Sequence, residues 1–114
     1  MTLVYKILRE TEWTAAQGTG TFSGSADDVR DGFIHFSAAH QVRATCDKHF
    51  AGESLLFLLA INTESLGGLL QWEVSRGGQK FPHLYAELPL NLVQWCREIR
   101  RAPDGAAVFP PEIP

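Results

Sequence analysis

Alternating and continuous apolar positions predict most of the strands of this chain. The run from Leu3 to Leu8 combines apolar, β-branched and aromatic residues and predicts an opening strand. The longest apolar run, Leu55 to Ile61, predicts a buried strand. Three further strands are predicted at residues 70–75, 81–88 and 92–99, with Gly77-Gly78 and Pro89 as interruptions.

Two helices are predicted from capping residues and four-residue spacing. Thr11 is a candidate N-cap for a short helix at residues 12–17, which would stop at Gly18 and Gly20. Ser37 is a candidate N-cap for a second helix at residues 38–50. Its residues 42, 46 and 50 are apolar and would form the buried stripe. The intervening residues 18–32 are rich in Gly, Ser, Thr and Asp and predict a long surface loop.

The order of these elements predicts an α+β fold with two main helices. Strands that cluster after the helices and are joined by short turns favour antiparallel neighbours. A chain of 114 residues has the ordinary size of one domain, so residues 1–114 are expected to form a single domain. Residues 100–114 contain four of the six prolines and predict a tail that lies extended over the surface of the domain.

Composition and charge exclude several classes of protein. Hydrophobic residues make up 45% of the chain and charged residues 20%, which is typical of a globular domain. The net charge of −3 disfavours non-specific binding to nucleic acid through phosphate contacts. The longest apolar run is roughly a third of the ~20 residues that a membrane-spanning helix needs.

The cysteines and the N-terminal residues predict a reducing compartment. Cys46 and Cys96 are far apart and lie in no zinc-site pattern, so both are expected to be free thiols and no metal is expected. The first residues contain no apolar stretch or cleavage site of a secretory signal, which favours a cytoplasmic location. The oligomeric state stays open.

A short segment around His35 is the first candidate for a functional site. In an extended chain, alternate residues share a face, so Phe33, His35 and Ser37 would point to one side. Ile34 and Phe36 would then point into the core. The alternatives are that His35 is a half-buried histidine bonded to backbone carbonyls, and that Ser37 is only a helix cap.

A second segment has the same pattern. Phe81, His83 and Tyr85 would share one face, with Leu84 in the core. Aromatic walls with a few hydrogen-bonding groups are typical of small-molecule pockets. The alternatives are that His83, like His35, is a half-buried histidine bonded to backbone carbonyls, and that Tyr85 is simply packed in the core.

Arg76 and Glu73 complete the candidate site. Arg76 precedes Gly77-Gly78, where a flexible turn would let its guanidinium reach a carboxylate or phosphate. Glu73 is a carboxylate within a predicted strand and a candidate general base. The alternatives are a solvated loop charge and an exposed strand residue. No phosphate loop, dinucleotide glycine motif or serine-hydrolase elbow is present in the sequence.

These segments resemble a known family. Residues 31–37 (DGFIHFS) and 72–85, together with the opening strand and Trp13, are similar to the bacterial and plant family named domain of unknown function 952. The resemblance implies a fold similar to the ADP-ribosyltransferase superfamily, an α+β arrangement with a bent, split β-sandwich around an NAD cleft. It therefore implies NAD or a related ADP-ribosyl compound as the ligand, without a metal.

The resemblance also implies roles for single residues. His35 matches the residue that holds a ribose or a phosphate, and Tyr85 could stack on the nicotinamide ring. Glu73 and Glu87 are both candidates for the catalytic glutamate, but neither lies in the usual Glu-x-Glu or Gln-x-Glu pattern. We therefore expect His35, His83 and Glu73 to act in catalysis and Ser37, Arg76 and Tyr85 to bind the ligand. The alternative is a non-catalytic module that recognises a nucleotide or metabolite.

Overall fold

Antiparallel sheets and short helices make up the protein, in agreement with the predicted α+β class. A computed structural model describes residues 1–114 except for the side chain of Arg76. The strands are β1 Leu3–Arg9, β2 Thr21–Phe22, β3 Ile34–His35, β4 Leu55–Asn62, β5 Leu70–Val74, β6 Lys80–Leu84, β7 Leu88–Pro89, β8 Val93–Arg101 and β9 Ala107–Val108. The helices are α1 Glu10–Thr19, α2 Ala26–Asp31, α3 Val42–His49 and α4 Thr63–Leu66. Short 3-10 helices lie at Gly67–Leu69, Arg76–Gly78 and Leu90–Leu92.

The main sheet has the strand order β1-β4-β8-β9, and all of its pairs are antiparallel. The apolar run of β4 lies in its interior and is buried on both faces. Leu59 and Ile61 belong to the hydrophobic cluster on one face, and Leu58 and Ala60 belong to the cluster on the other. This explains why the segment is continuously apolar rather than alternating.

A second sheet has the order β3-β6-β5, and residues 34–37 join it to the main sheet. Ile34 and His35 pair with β6, whereas Ser37 exchanges two backbone hydrogen bonds of 2.8 Å with Tyr5 of β1. The chain therefore passes from one sheet to the other within four residues. This crossing places the His35 side chain near the junction of the two sheets.

The first helix begins earlier than predicted. It starts at Glu10, with Arg9 rather than Thr11 at the N-cap position. The cause is Glu12, whose carboxylate accepts a 2.8 Å hydrogen bond from the backbone N–H of Arg9. The predicted stop is confirmed at Gly20, which adopts a left-handed conformation with φ 82° and ends the helix, whereas Gly18 lies within the helix.

The prediction of one long loop at residues 18–32 is wrong, because β2 and α2 lie within it. Ser25 caps α2 by accepting a hydrogen bond from the Asp28 N–H, and the Asp28 carboxylate accepts one from the Ser25 N–H. This reciprocal capping box compensates for the weak helix propensity of the segment. Gly32, at φ 85°, ends the helix.

Ser37 is not the cap of α3, which is shorter than the predicted helix and begins at Val42. The backbone pairing of Ser37 with Tyr5 holds it in extended structure, and Gln41 occupies the cap position instead. The predicted stripe is confirmed: Val42 and Cys46 are buried and Phe50 packs against the same cluster.

Four smaller differences concern the second half of the chain. The extended segment after residue 80 divides into β6 and β7, and α4 lies in the predicted turn after β4. Strand β8 is not the last one, because β9 pairs with its end. Ile113 is 3% exposed, so the predicted tail is packed against the domain. Both cysteines are free, as predicted, and no helix of the described residues is long and apolar enough to cross a membrane.

Candidate functional site

The buried carboxylate of Asp28, a residue of α2, is the centre of a polar cluster that includes residues of β1 and β3. Its side chain is 2% exposed and forms an ion pair of 3.0 Å with the ammonium group of Lys6. It also accepts hydrogen bonds from the backbone N–H groups of Ser25 and His35, at 2.9 and 3.1 Å. Lys6 in turn donates a 2.9 Å hydrogen bond to the His35 carbonyl. The cluster therefore ties β1, α2 and β3 together.

The His35 ring lies between two carboxylates of α2. Its Nδ1 is 2.6 Å from Asp28 Oδ1, and its Nε2 is 3.0 Å from Asp31 Oδ2. The side chain of His35 is 34% exposed, whereas that of Asp28 is buried. The ring is thus held in one orientation from both sides.

The electrostatics of the cluster follow from burial and pairing. Burial raises the pKa of the Asp28 carboxyl, but the hydrogen bond from His35, the charge of Lys6 and the backbone donors outweigh it and hold the pKa well below its usual range. Burial lowers the pKa of Lys6 despite the opposing effect of Asp28. A hydrogen bond from Arg30 lowers the pKa of Asp31.

A second carboxylate–histidine pair joins β5 and β6. The Nδ1 atom of His83 lies 2.8 Å from Glu73 Oε1, and the Tyr85 hydroxyl donates a 2.7 Å hydrogen bond to the same oxygen. The hydrogen bonds from Tyr85 and His83 lower the pKa of Glu73, and the bond to Glu73 raises the pKa of Tyr85. His83 is 4% exposed. Its Nε2 atom is buried and has no hydrogen-bond partner in the described part of the chain.

Phe33 brings the two histidines together. Its ring is stacked on His83 with 4.0 Å between the ring centroids, and the centroid of the His35 ring lies 4.6 Å away. The two imidazole centroids are 5.5 Å apart in an edge-on arrangement. The register explains this proximity, because His35 of β3 pairs directly with His83 of β6.

Both histidines line a cavity of about 260 Å³ between the two sheets. Its basic lining residues are Lys6, Arg9, Arg30 and Lys48, and its acidic ones among those described are Asp27 and Asp28. The lining therefore carries more cationic than anionic groups in a chain whose net charge is −3. Arg9 and Arg30 pair with carboxylates outside the lining, those of Glu12, Glu53 and Asp31, so Lys48 is the lining cation that remains unpaired among the described residues and can attract an anion.

Five of the six sequence-predicted site residues lie in one connected region. His35, His83 and Ser37 line the cavity, and Glu73 contacts His83 from outside it. The Ser37 hydroxyl lies 3.0 Å from that of Thr45.

Tyr85 does not line this cavity but an adjacent shallow one, and it is 44% exposed rather than packed in the core. The prediction for Arg76 concerns a side chain outside the described residues. Glu87, the other candidate glutamate, bonds to Ser23 at 3.2 Å and also lines the shallow cavity.

Sequence reasoning missed Asp28 and Lys6. Two signals in the sequence point to them: Lys6 is a lone charge within an apolar strand, and Ser25 with Asp28 has the spacing of a capping box. For both histidines the alternative of backbone carbonyl partners is wrong, because their rings bond to carboxylates. No group of three metal-ligating side chains occurs among the described residues.

Comparisons with known proteins identify the family. Residues 7–96 match the family model described as "Protein of unknown function (DUF952)". The crystal structure of protein CC0527 from Caulobacter crescentus is 48% identical, with a TM-score of 0.89 and coverage of 94% of both chains. The solution NMR structure of CC0527 is 50% identical, with a TM-score of 0.82 and coverage of 92% of this chain and 90% of that one. No curated protein matches the sequence. The chain belongs to the DUF952 family.

Proposed function

We propose that the cavity binds an anionic nucleotide-like compound, such as NAD or ADP-ribose, in a fold related to that of the ADP-ribosyltransferases. The observation that carries this proposal is the excess of cationic side chains around a cavity in an acidic protein. A diphosphate needs such a local excess of cations, because the field of the whole chain repels it.

The positions of these cations suit a ligand that places one part inside the cavity and its diphosphate at the opening. Lys6 is buried and paired with Asp28, so it contributes little free charge. Arg30 is exposed but pairs with Asp27 and Asp31, whereas Lys48 is exposed, forms no ion pair among the described residues and can approach phosphate oxygens. A cavity of about 260 Å³ holds one part of a dinucleotide, with the diphosphate beside the exposed cations at the opening.

The histidine side of the cavity supports an enzyme of the ADP-ribose-transferring type. Glu73 orients the His83 ring, which is how carboxylate–histidine pairs position a proton acceptor. In this proposal His83 accepts the proton of the attacking group, and Glu73 acts through His83 rather than on the ligand. His35 contacts the ribose, as expected from the resemblance.

One observation favours the second candidate, a binding module without catalysis. Glu73, the candidate catalytic carboxylate, does not line the cavity, and its Oε1 atom is bonded to His83 and Tyr85. Incubation with NAD separates the two candidates. Release of nicotinamide by the wild type, and its loss in His83→Asn, supports the enzyme, whereas binding without release supports the module.

The binding proposal is tested by calorimetric titration of the wild type and two variants with NAD and ADP-ribose. Lys48→Gln removes a cation that lines the cavity, and Lys80→Gln removes an exposed cation outside its lining. Loss of a charge-assisted contact to phosphate is expected to weaken binding about tenfold in Lys48→Gln. Lys80→Gln should bind like the wild type. No binding by the wild type, or equal affinities in all three proteins, would contradict the proposal.

A further inference from the structure

We infer that the ligand of this cavity presents a hydroxyl group to the Nε2 atom of His83. The inference rests on the proposed binding of an anionic ligand and adds the chemical group that the cavity recognises. The class of ligand that fits the site is therefore a phosphorylated compound that also carries a free hydroxyl group, such as a sugar phosphate.

The starting observation is one buried nitrogen without a partner. Nε2 of His83 is shielded from solvent and has no hydrogen-bond partner in the described part of the chain, while the residue lines the cavity. Leaving a buried polar atom unpaired destabilises the protein, so such an atom calls for an explanation. A group supplied by the ligand provides one, once the side chains that shield the atom move aside as the ligand binds.

The other ring nitrogen determines which kind of group this is. Nδ1 of His83 faces Glu73 Oε1, which also accepts a hydrogen bond from the Tyr85 hydroxyl. The lowered pKa of Glu73 agrees with an ionised carboxylate, which can only accept. Nδ1 therefore carries the proton. In a neutral imidazole the second nitrogen then has a lone pair and needs a donor.

The surroundings select an uncharged donor. Four basic side chains line the cavity against two acidic ones among the described residues, which disfavours an ammonium group. The Ser37 hydroxyl lies 3.0 Å from that of Thr45 and so has a partner of its own. A hydroxyl of the ligand is small, uncharged and able to donate to Nε2 of His83.

The protonation pattern is tested first, on the wild-type protein without a ligand. Nitrogen-15 NMR of the histidine rings distinguishes a protonated nitrogen from one with a lone pair, and the His83→Asn spectrum assigns the signals. We expect a proton on Nδ1 of His83 and a lone pair on Nε2. A proton on Nε2 would overturn the inference, whether or not the variant is stable.

The recognised group is tested by titration with ribose 5-phosphate and inorganic phosphate. His83→Asn retains a side-chain amide that can donate to Glu73 and removes the acceptor at Nε2. We expect the wild type to bind ribose 5-phosphate at least tenfold more tightly than phosphate, and His83→Asn to lose about tenfold for the sugar phosphate alone. His40→Asn, an exposed control outside the cavity lining, should bind like the wild type.

The other outcomes of this titration distinguish failure of the hydroxyl inference from failure of the anion-binding proposal. Equal affinity of the wild type for both compounds overturns the inference and leaves the anion-binding proposal intact. Equal weakening of both compounds in His83→Asn also overturns it, because the residue would then act on the whole cavity. No binding of either compound overturns the anion-binding proposal and the inference with it.

Discussion

Replacing Asp28 by Asn should destabilise the protein more than any other single change of a charge in this region. The carboxylate is 2% exposed, and its partner Lys6 has a side-chain exposure of 8%. In Asp28→Asn the ammonium group of Lys6 would stay buried, with only neutral acceptors, the His35 carbonyl and the new amide oxygen, in place of the carboxylate. The variant therefore creates an uncompensated charge in the core.

The size of the effect follows from this burial. Removing one partner of a buried ion pair costs about 3–5 kcal/mol, because the other charge has lost its water as well as its counter-ion. Domains of this size are stable by roughly 5–15 kcal/mol, so the loss would be a large part of the total. A decrease in Tm of more than about 10 °C is expected.

Chemical and thermal unfolding measure this loss, and Asp31→Asn is the matched control. Asp31 also faces His35, but its side chain is 33% exposed and it pairs with the exposed Arg30. Exposed pairs contribute about 0–1 kcal/mol, so the control should change little. The reasoning is refuted if Asp28→Asn costs no more than Asp31→Asn.

The same carboxylate predicts a dependence of stability on pH. The pKa of Asp28 is lower in the folded protein than its ordinary value of about 3.9, so the folded state binds fewer protons than the unfolded state. Its stabilisation is therefore fully present above about pH 4 and is lost as the pH falls through the folded pKa. The difference in unfolding free energy between the wild type and Asp28→Asn should shrink correspondingly in acid.

Three other variants test separate parts of the structure. Ser25→Ala removes the cap of α2 and should cost about 1 kcal/mol in chemical unfolding, whereas Ser23→Ala, on the exposed chain nearby, should cost much less. Phe36→Ala opens a cavity in the core, where the residue is 3% exposed, and should cost about 3–5 kcal/mol; a cost below 1 kcal/mol would contradict this packing. Tyr85→Phe removes a hydrogen bond to Glu73 and should raise the pKa of that carboxyl in an NMR titration; an unchanged pKa would exclude the bond.

The strands could be predicted because their apolar patterns reflect burial directly. The continuous run of β4 and the alternation around His35 both follow from which faces meet the core. The helix starts could not be predicted from propensity alone. Helix α1 begins before the predicted residue because the carboxylate of Glu12 bonds to the backbone of Arg9. Ser37 does not cap α3 because its backbone pairs with Tyr5 in the sheet. Pairing partners distant in sequence are not visible in a local pattern.

The site was predicted in part for the same reason. Alternation correctly placed His35 and His83 on the polar sides of their strands, and their proximity then followed from the register of β3 and β6. Asp28 escaped prediction because its role depends on Lys6, which is 22 residues away in the chain. The residues 18–32 looked like a loop by composition, although a capping box within them forms α2.

Binding of an anionic nucleotide-like ligand in the cavity between the sheets is tested most directly by mapping ADP-ribose on the nitrogen-15-labelled protein. We expect saturable changes of amide chemical shift at residues that line the cavity, including Ser25, His35, Lys48 and His83. The shifts of the distant strand β9 should stay unchanged. Absence of any change at saturating ADP-ribose, or changes confined to residues outside the cavity, would contradict the claim.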